Sequence, residues 1–273
     1  MIKLIAFDLD ETLLCSDKSI SKENKAALHK AKEKGIKIVP ASGRGPCMLQ
    51  DIYDALDIYE QGQYSILCNG GCIVDNYTNE VLICHTINDS MIIPLIEFGL
   101  KKDLNIQIFT CDHIYCYNTD EEEKEVIHLI SKGHPDYPIF KEDLDFTYLK
   151  DIQVIKMLYQ KKDMNYLQSL KKELDWTSSF ISISYSSNRY LELNPLHIDK
   201  GKGLEDLVSL LSMDIKDTLA IGDSYNDYEM IEKAGIGAVV NNGIDKCKAI
   251  ADYISPFDHN HNGVREILEK FIL

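Results

Sequence analysis

The chain has 273 residues, 45% of them hydrophobic, and carries a formal net charge of -15. The apolar fraction is enough for one large or two modest packed domains and excludes a disordered chain. The acidic balance argues against nucleic acid and anionic membranes as partners, because phosphate backbones are met by basic patches.

A small phosphorylated ligand is compatible with that charge, since one local cation can reverse the field of a site. No apolar run approaches the ~18 residues a spanning helix needs. The amino terminus lacks the charged-then-apolar pattern of a secretory signal. The eight cysteines include no C-x-x-C pair, and they read as scattered small hydrophobes rather than metal ligands. These features predict a cytoplasmic protein with reduced thiols.

Residues 3–7 form a short apolar run, which predicts a buried strand. Asp8 stands at its carboxyl end and Asp10 follows two residues later. Residues i and i+2 of an extended chain point the same way, so both carboxylates are expected to face one spot. In an open α/β sheet, ligands bind in the crevice beyond the carboxyl ends of the strands. A polar loop follows over 11–20. Ser21 and Gly35 then bracket a helix in which Ala27, Leu28 and Ala31 recur at helical spacing. Residues 36–41 predict a second strand that ends in Ala41-Ser-Gly-Arg44, with Pro46 placed to open a helix. Residues 64–68 predict a third strand, closed by the turn Asn69-Gly70-Gly71. Strands alternating with helices predict βαβ units and a parallel sheet.

From about 85 to 187 the pattern changes. Residues 90–102 and 163–174 are helical in pattern, and 107–110, 113–117, 153–159 and 180–185 are strand-like. Short polar links between the strands predict antiparallel pairing. Residues 131–145, with Gly133, Pro135 and Pro138, predict a loop. The segment reads as an inserted α+β domain. Residues 190–193 lead back, and His197-Ile-Asp-Lys-Gly-Lys-Gly203 precedes a helix over 204–211. A buried strand at 218–221 ends in Gly222-Asp-Ser-Tyr-Asn-Asp227, which opens a helix closed by Gly235. A strand at 238–240 and a helix from 263 finish the chain.

Asp223 and Asp227 are four apart, so at a helix start they share a face, where the helix N-terminus favours negative charge. Together with Asp8 and Asp10 they would gather four carboxylates. Like charges held close need a compensating cation, and a hard one such as Mg2+ takes one or two carboxylates along with substrate phosphate and water. The Ser42 hydroxyl and the Gly43 amide could donate to a phosphoryl oxygen, reinforced by a helix start at Pro46. Arg44 could contact substrate or form a structural ion pair. The Asp258-His-Asn-His-Asn262 loop could hold a metal adventitiously.

The set Asp8-Leu-Asp10-Glu-Thr12-Leu, Ser42, Lys200 and Gly222-Asp-Ser-Tyr-Asn-Asp227 resembles, in order, the four motifs of the haloacid dehalogenase superfamily of phosphatases. The large insertion between the second and third motifs, with Asn69-Gly70-Gly71 and Asn262-Gly263-Val264, resembles its Cof-type sugar-phosphate phosphatase subfamily. The resemblance covers nearly the whole chain. It implies an α/β fold with a Rossmann-like parallel-sheet core, 1–84 plus 190–273, and an inserted α+β cap, 85–189, that selects substrate. It implies that Asp8 is the nucleophile, forming an aspartyl-phosphate, and that Asp10 is the general acid and then the base. Lys200 would neutralise charge on the transferring phosphoryl group; Lys202 is a rival two positions on, and the family pattern favours Lys200. Mg2+ would be held by Asp8, the Asp10 backbone carbonyl and Asp223, with Asp227 behind them orienting Lys200 or a water. Ser42, Gly43, Lys200 and Asn226 would meet the phosphate.

The expected activity is Mg2+-dependent hydrolysis of a small phosphorylated metabolite, a sugar phosphate in particular, by a monomer or weak homo-oligomer. A phosphosugar mutase using the same Asp8 and a catalytically silent binder of phosphometabolites are the alternatives. Substrate choice is expected in cap loops near Asp112 or over 186–189, with Arg189 as one candidate.

Overall fold

The computed structural model describes residues 1–130, 138–186 and 188–273. In chain order its first elements are β1 (Leu4–Phe7), α1 (Lys22–Glu33), β2 (Lys37–Pro40), α2 (Gln50–Leu56), β3 (Tyr64–Leu67), β4 (Cys72–Asp75) and β5 (Val81–Cys84). There follow α3 (Asp89–Lys101), β6 (Asn105–Phe109), β7 (Ile114–Tyr117), α4 (Glu121–Ile130), β8 (Ile139–Lys141), β9 (Lys156–Gln160), α5 (Met164–Glu173), β10 (Ile181–Ser186) and β11 (Tyr190–Pro195). The chain closes with α6 (Lys200–Leu210), β12 (Thr218–Gly222), α7 (Tyr228–Lys233), β13 (Ile236–Val239), α8 (Asp245–Lys248), β14 (Tyr253–Ile254) and α9 (Gly263–Phe271). Two compact units result. One comprises residues 1–43, 50–83 and 199–273, the other 44–49 and 84–198.

The first unit is built on a parallel sheet of order β14-β13-β12-β1-β2. β1 has neighbours on both sides and is apolar throughout, as a strand covered on both faces must be. Leu4 and Ala6 point into a cluster with Val39, Ala220, Leu204, Leu207 and Met230, while Ile5 and Phe7 on the other face are also fully buried. α1 begins and ends where its sequence signals stand. The Ser21 side chain accepts from the Asn24 amide, Ala27, Leu28 and Ala31 are buried, and Gly35 takes φ +80 just past the end.

Two local expectations are corrected here. β3 touches β2 through one parallel bridge, Ala41 to Ile66, but its ladder partner is β4, antiparallel, in a three-stranded sheet β3-β4-β5. The turn at Asn69 and Gly70 reverses the chain at once, which leaves no crossover for a parallel partner. Pro46 opens a three-residue 3-10 turn, Pro46–Met48, rather than an α-helix.

The second unit is a six-stranded sheet of order β10-β11-β9-β6-β7-β8, antiparallel except for the β7–β8 pair. Alternation separates its faces. Ile106, Ile108, Met157, Tyr159, Leu191 and Leu193 pack with Ile92, Leu95 and Ile96 of α3 and Leu167 and Leu170 of α5. The opposite face carries Asn105, Gln107, Lys156, Gln160, Glu192 and Asn194. The loop expected over 131–145 contains β8, which Pro138 precedes. A proline just before an edge strand removes no ladder donor. Residues 131–137, and Ser187 in the 186–189 loop, lie outside the described residues. No helix among the described residues is long and apolar enough to cross a membrane.

Glycine backbones bring the turn after β3 against the first turn of α6. Gly70 has φ +87, and a Cβ there would lie 2.0 Å from the Asp199 carbonyl oxygen; a Cβ on Gly203 would lie 2.8 Å from the Gly70 Cα. Gly35, by contrast, has nothing within 4 Å of its would-be Cβ. Gly35→Ala is therefore expected to cost about 1 kcal/mol of left-handed strain, and Gly70→Ala about 3 kcal/mol, because displaced backbone is added to the strain. Urea unfolding followed by circular dichroism measures both, and equal losses would contradict this account of the packing.

Candidate active site

The strand order turns at the β1–β12 boundary: β2 follows on one side, β13 and β14 on the other. Open α/β sheets place their ligand crevice at that switch point, beyond the carboxyl ends of the strands. Asp8 leaves β1 there and Asp223 leaves β12. The Asp8 amide extends the ladder, donating to the Ile221 carbonyl at 2.9 Å. Both acids are buried, as is Asp227.

Lys200 is the first residue of α6 and its side chain is fully buried. Its ammonium donates to Asp8 Oδ1 at 2.5 Å and to Asp227 Oδ1 at 2.6 Å. The local sequence explains how it arrives. Asp199 caps α6 by accepting from the Lys202 amide at 2.7 Å, and Gly201 lets the helix approach α7, where a Cβ would lie 2.6 Å from the Glu229 carbonyl. Lys202 pairs with Asp206 at a half-exposed position, so of the two lysines only Lys200 reaches the acids.

Asp227 is committed on both oxygens. Oδ1 accepts from Lys200, and Oδ2 accepts from the Asp223 and Ser224 amides, each at 3.0 Å. The absence of a side chain at Gly222 makes room for it, since a Cβ would stand 2.5 Å from Asp227 Cβ. Asp223 Oδ1 accepts from the Thr12 hydroxyl at 2.7 Å. Thr12 and Gly222 were visible as motif letters, but only the fold gives them work. Cys247, which donates its thiol to the Ser224 carbonyl at 3.0 Å, had no sequence signal at all.

Carboxylate oxygens of Asp8, Asp223 and Asp227 lie within 4.8 Å of one another. Asp10 is not part of that group. Its half-exposed carboxylate accepts from Lys18 Nζ at 2.8 Å, so the expected cluster of four acids is a cluster of three. The second motif and the Asn69 turn also meet the fourth motif. The Ser42 amide donates to the Ile66 carbonyl at 2.8 Å, the Asn69 amide donates to the Ser42 carbonyl at 3.0 Å, and Asn226 Nδ2 donates to Asn69 Oδ1 at 3.3 Å. Ser42 is buried and Gly43 half-buried. In the second unit, Arg189 is tied to buried Glu123, which also accepts from Tyr190 and Gln107. His259 and His261 belong to no metal-binding group among the described residues.

The electrostatics follow from three acids sharing one ammonium. Burial pushes Asp8 up from 3.8 to about 7, against the pull of Lys200. Asp223 rises to about 8, first through burial and then through repulsion by Asp227 and Asp8. Burial alone would lower Lys200, but Asp227 and Asp8 outweigh it and hold the ammonium charged well above its ordinary range. An all-oxygen, acidic donor set of this kind suits a hard divalent cation, which would relieve the repulsion.

Buried acids around a single lysine, at the switch point of a parallel sheet, define an enzyme site. The pattern of the haloacid dehalogenase-like hydrolases matches residues 5–268; the chain belongs to that family and is a phosphatase of it. It is similar to the 5-amino-6-(5-phospho-D-ribitylamino)uracil phosphatase YcsE of Bacillus subtilis (strain 168), with 28% identity over 275 residues that cover 100% of this chain and 96% of the relative. The crystal structure of a haloacid dehalogenase-like hydrolase from Bacteroides thetaiotaomicron superposes with a TM-score of 0.85 at 30% identity, covering 100% of both chains. The HAD subclass IIB sugar phosphatase BT4131 shares the fold, with a TM-score of 0.82, 22% identity and 98% of each chain covered.

The raised acids give stability a pH dependence. An acid whose pKa is higher folded than unfolded contributes stability that is full below the unfolded value of 3.8 and is lost as pH rises through the folded value, here about 7 for Asp8 and about 8 for Asp223. In chelator, the melting temperature is expected to fall as pH rises through that window. Asp223→Asn should flatten the fall. Parallel slopes for the two proteins would contradict it.

Proposed function

We propose that this phosphatase hydrolyses a small phosphomonoester through an aspartyl-phosphate on Asp8, with Mg2+ as its cofactor. The observation that carries the reading is the Lys200 ammonium held between Asp8 and Asp227, among three buried carboxylates at the ends of β1 and β12. A carboxylate in such a place is a fixed nucleophile beside a fixed cation.

In the first step an Asp8 carboxylate oxygen attacks phosphorus, the bond to the leaving oxygen breaks, and Asp10 gives that oxygen a proton. In the second, Asp10 takes a proton from water, the water oxygen attacks phosphorus, and the Asp8–phosphate bond breaks to release inorganic phosphate. One carboxyl group thus serves as acid and then as base. Lys200 already donates to Asp8 Oδ1, so its charge is in position to balance the negative charge of the transferring group. Asp227 holds the ammonium in place and has no oxygen left over. Ser42, Gly43 and Asn226 would meet the phosphoryl oxygens. Mg2+ would be held by Asp8, Asp223 and the Asp10 backbone carbonyl, and when bound it supplies charge neutralisation on the phosphoryl oxygens.

In this reading the inserted unit, residues 84–198 with β11 in its sheet rather than the expected 85–189, acts as the cap that sets the substrate. The ribityl phosphate in the name of the YcsE relative supports a phosphorylated polyol or sugar as substrate class. A cytoplasmic location agrees with that substrate. The test is phosphate release from a panel of phosphomonoesters with and without Mg2+. Release is expected to need Mg2+ and to fall by about 10³-fold or more in Asp8→Asn, which removes the nucleophile. Full activity in that variant would end the proposal.

A further inference from the structure

We infer that Lys18 is a positioning residue for Asp10, held in place by the Asp258–Asn262 loop; this rests on the reading of Asp10 as the proton-transferring group. The contact itself is a hydrogen bond from Lys18 Nζ to Asp10 Oδ1 at 2.8 Å, with the lysine side chain 61% exposed. An exposed ion pair in a loose loop would carry nothing. This loop is pinned along its length.

Leu14 bridges to Asp10 on one side and to Ile20 on the other. Between them the chain makes a tight turn, in which the Cys15 amide donates to the Ser19 carbonyl at 2.9 Å and the Lys18 amide to the Cys15 carbonyl at 2.8 Å. Asp17 Oδ1 accepts from the amide and the hydroxyl of Ser19, at 3.0 and 2.6 Å. Lys18 has φ +66, a left-handed conformation that glycine or asparagine would fill more readily. A lysine is costly there, and what it supplies is the reach of its side chain to Asp10.

The far side of the turn is clamped by the sequence stretch Asp258-His-Asn-His-Asn262. Asn260 accepts from the Ser16 amide at 3.0 Å and donates to the Ser16 hydroxyl at 3.0 Å. His259 Nε2 lies 3.1 Å from the same hydroxyl. Asn242 ties this loop to the start of the turn, accepting from the His259 amide at 3.0 Å and donating to the Glu11 carbonyl at 2.8 Å. Of the two histidines in this stretch, His259 belongs to the brace, while His261 bonds Asp258 within its own loop. The brace holds Ser16, the turn holds the Lys18 backbone, and Lys18 holds Asp10 Oδ1.

A proton donor that is misdirected hurts most where the leaving group needs the proton. An alkoxide leaves poorly without one, whereas p-nitrophenolate leaves without help. The experiment compares kcat/KM for p-nitrophenyl phosphate and for an alkyl phosphomonoester that the native enzyme hydrolyses, β-glycerophosphate being the first tried. Lys18→Met is expected to lose about tenfold more on the alkyl ester than on the aryl ester, a fraction of the ~10²–10⁴-fold that general acid catalysis supplies. The loss should fall on kcat rather than KM. Lys18→Arg should restore most of it, and Asn260→Ala should reproduce the selective loss in weaker form, with melting temperatures held close to native in all three. Equal losses on the two esters, or none, overturn the inference. Asp8→Asn is run beside them. If it keeps activity, the function itself was misread, and that outcome is separate from any result at Lys18.

Discussion

The structure depends on the need to keep three buried carboxylates together. Asp8, Asp223 and Asp227 crowd within a few ångströms, and water is largely excluded from all three. Like charges in low dielectric repel strongly, so the cluster stands only because Lys200 places an ammonium between two of its members and because backbone amides and Thr12 fill other oxygens. Taking the lysine away would leave buried charge uncompensated, the situation that costs folded proteins most. The residual repulsion marks a place where a further cation is welcome. What makes the cluster awkward for folding therefore suits it to phosphoryl chemistry.

Much of the rest of the first unit serves to bring Lys200 to Asp8. The lysine lies 192 residues along the chain from Asp8, on a helix that must sit unusually close to its neighbours. Gly201 and Gly203 clear its two sides, Gly70 clears the facing turn, and Gly222 clears the Asp227 side chain. At Gly70, Gly201 and Gly203 the missing Cβ decides whether two pieces of backbone can touch. The glycines of Lys200-Gly-Lys-Gly203 are therefore part of the site's geometry although they carry no functional group.

The second unit shows the opposite economy. Its sheet buries one face under α3 and α5 with an unbroken apolar cluster and gives the other face to amides and charges. The Arg189–Glu123 pair, bonded further to Tyr190 and Gln107, uses that polar face to anchor α4. Arg189 consequently has a structural partner, which sequence inspection, seeing only an arginine in a loop, could not supply.

Periodicity and motif order made the α/β core, the antiparallel insertion and the identity of the acids legible in the sequence. Strand ends and helix starts are local events, governed by apolar runs, caps and glycines within a few residues of one another. So Asp8 at the end of β1, Ser21 before α1 and Asp223 after β12 could be named from the chain alone. Partnerships between residues are set by packing, and those only the tertiary structure decided: Lys200 rather than Lys202 on Asp8, Thr12 on Asp223, Lys18 on Asp10, β3 pairing with β4 after a turn, and Asn260 on Ser16. The physical reason is the same in each case. A side chain's chemistry is written in its own residue, but the burial and the neighbours that direct this chemistry come from packing, across 211 residues for Thr12 and Asp223 and across only 8 for Lys18 and Asp10.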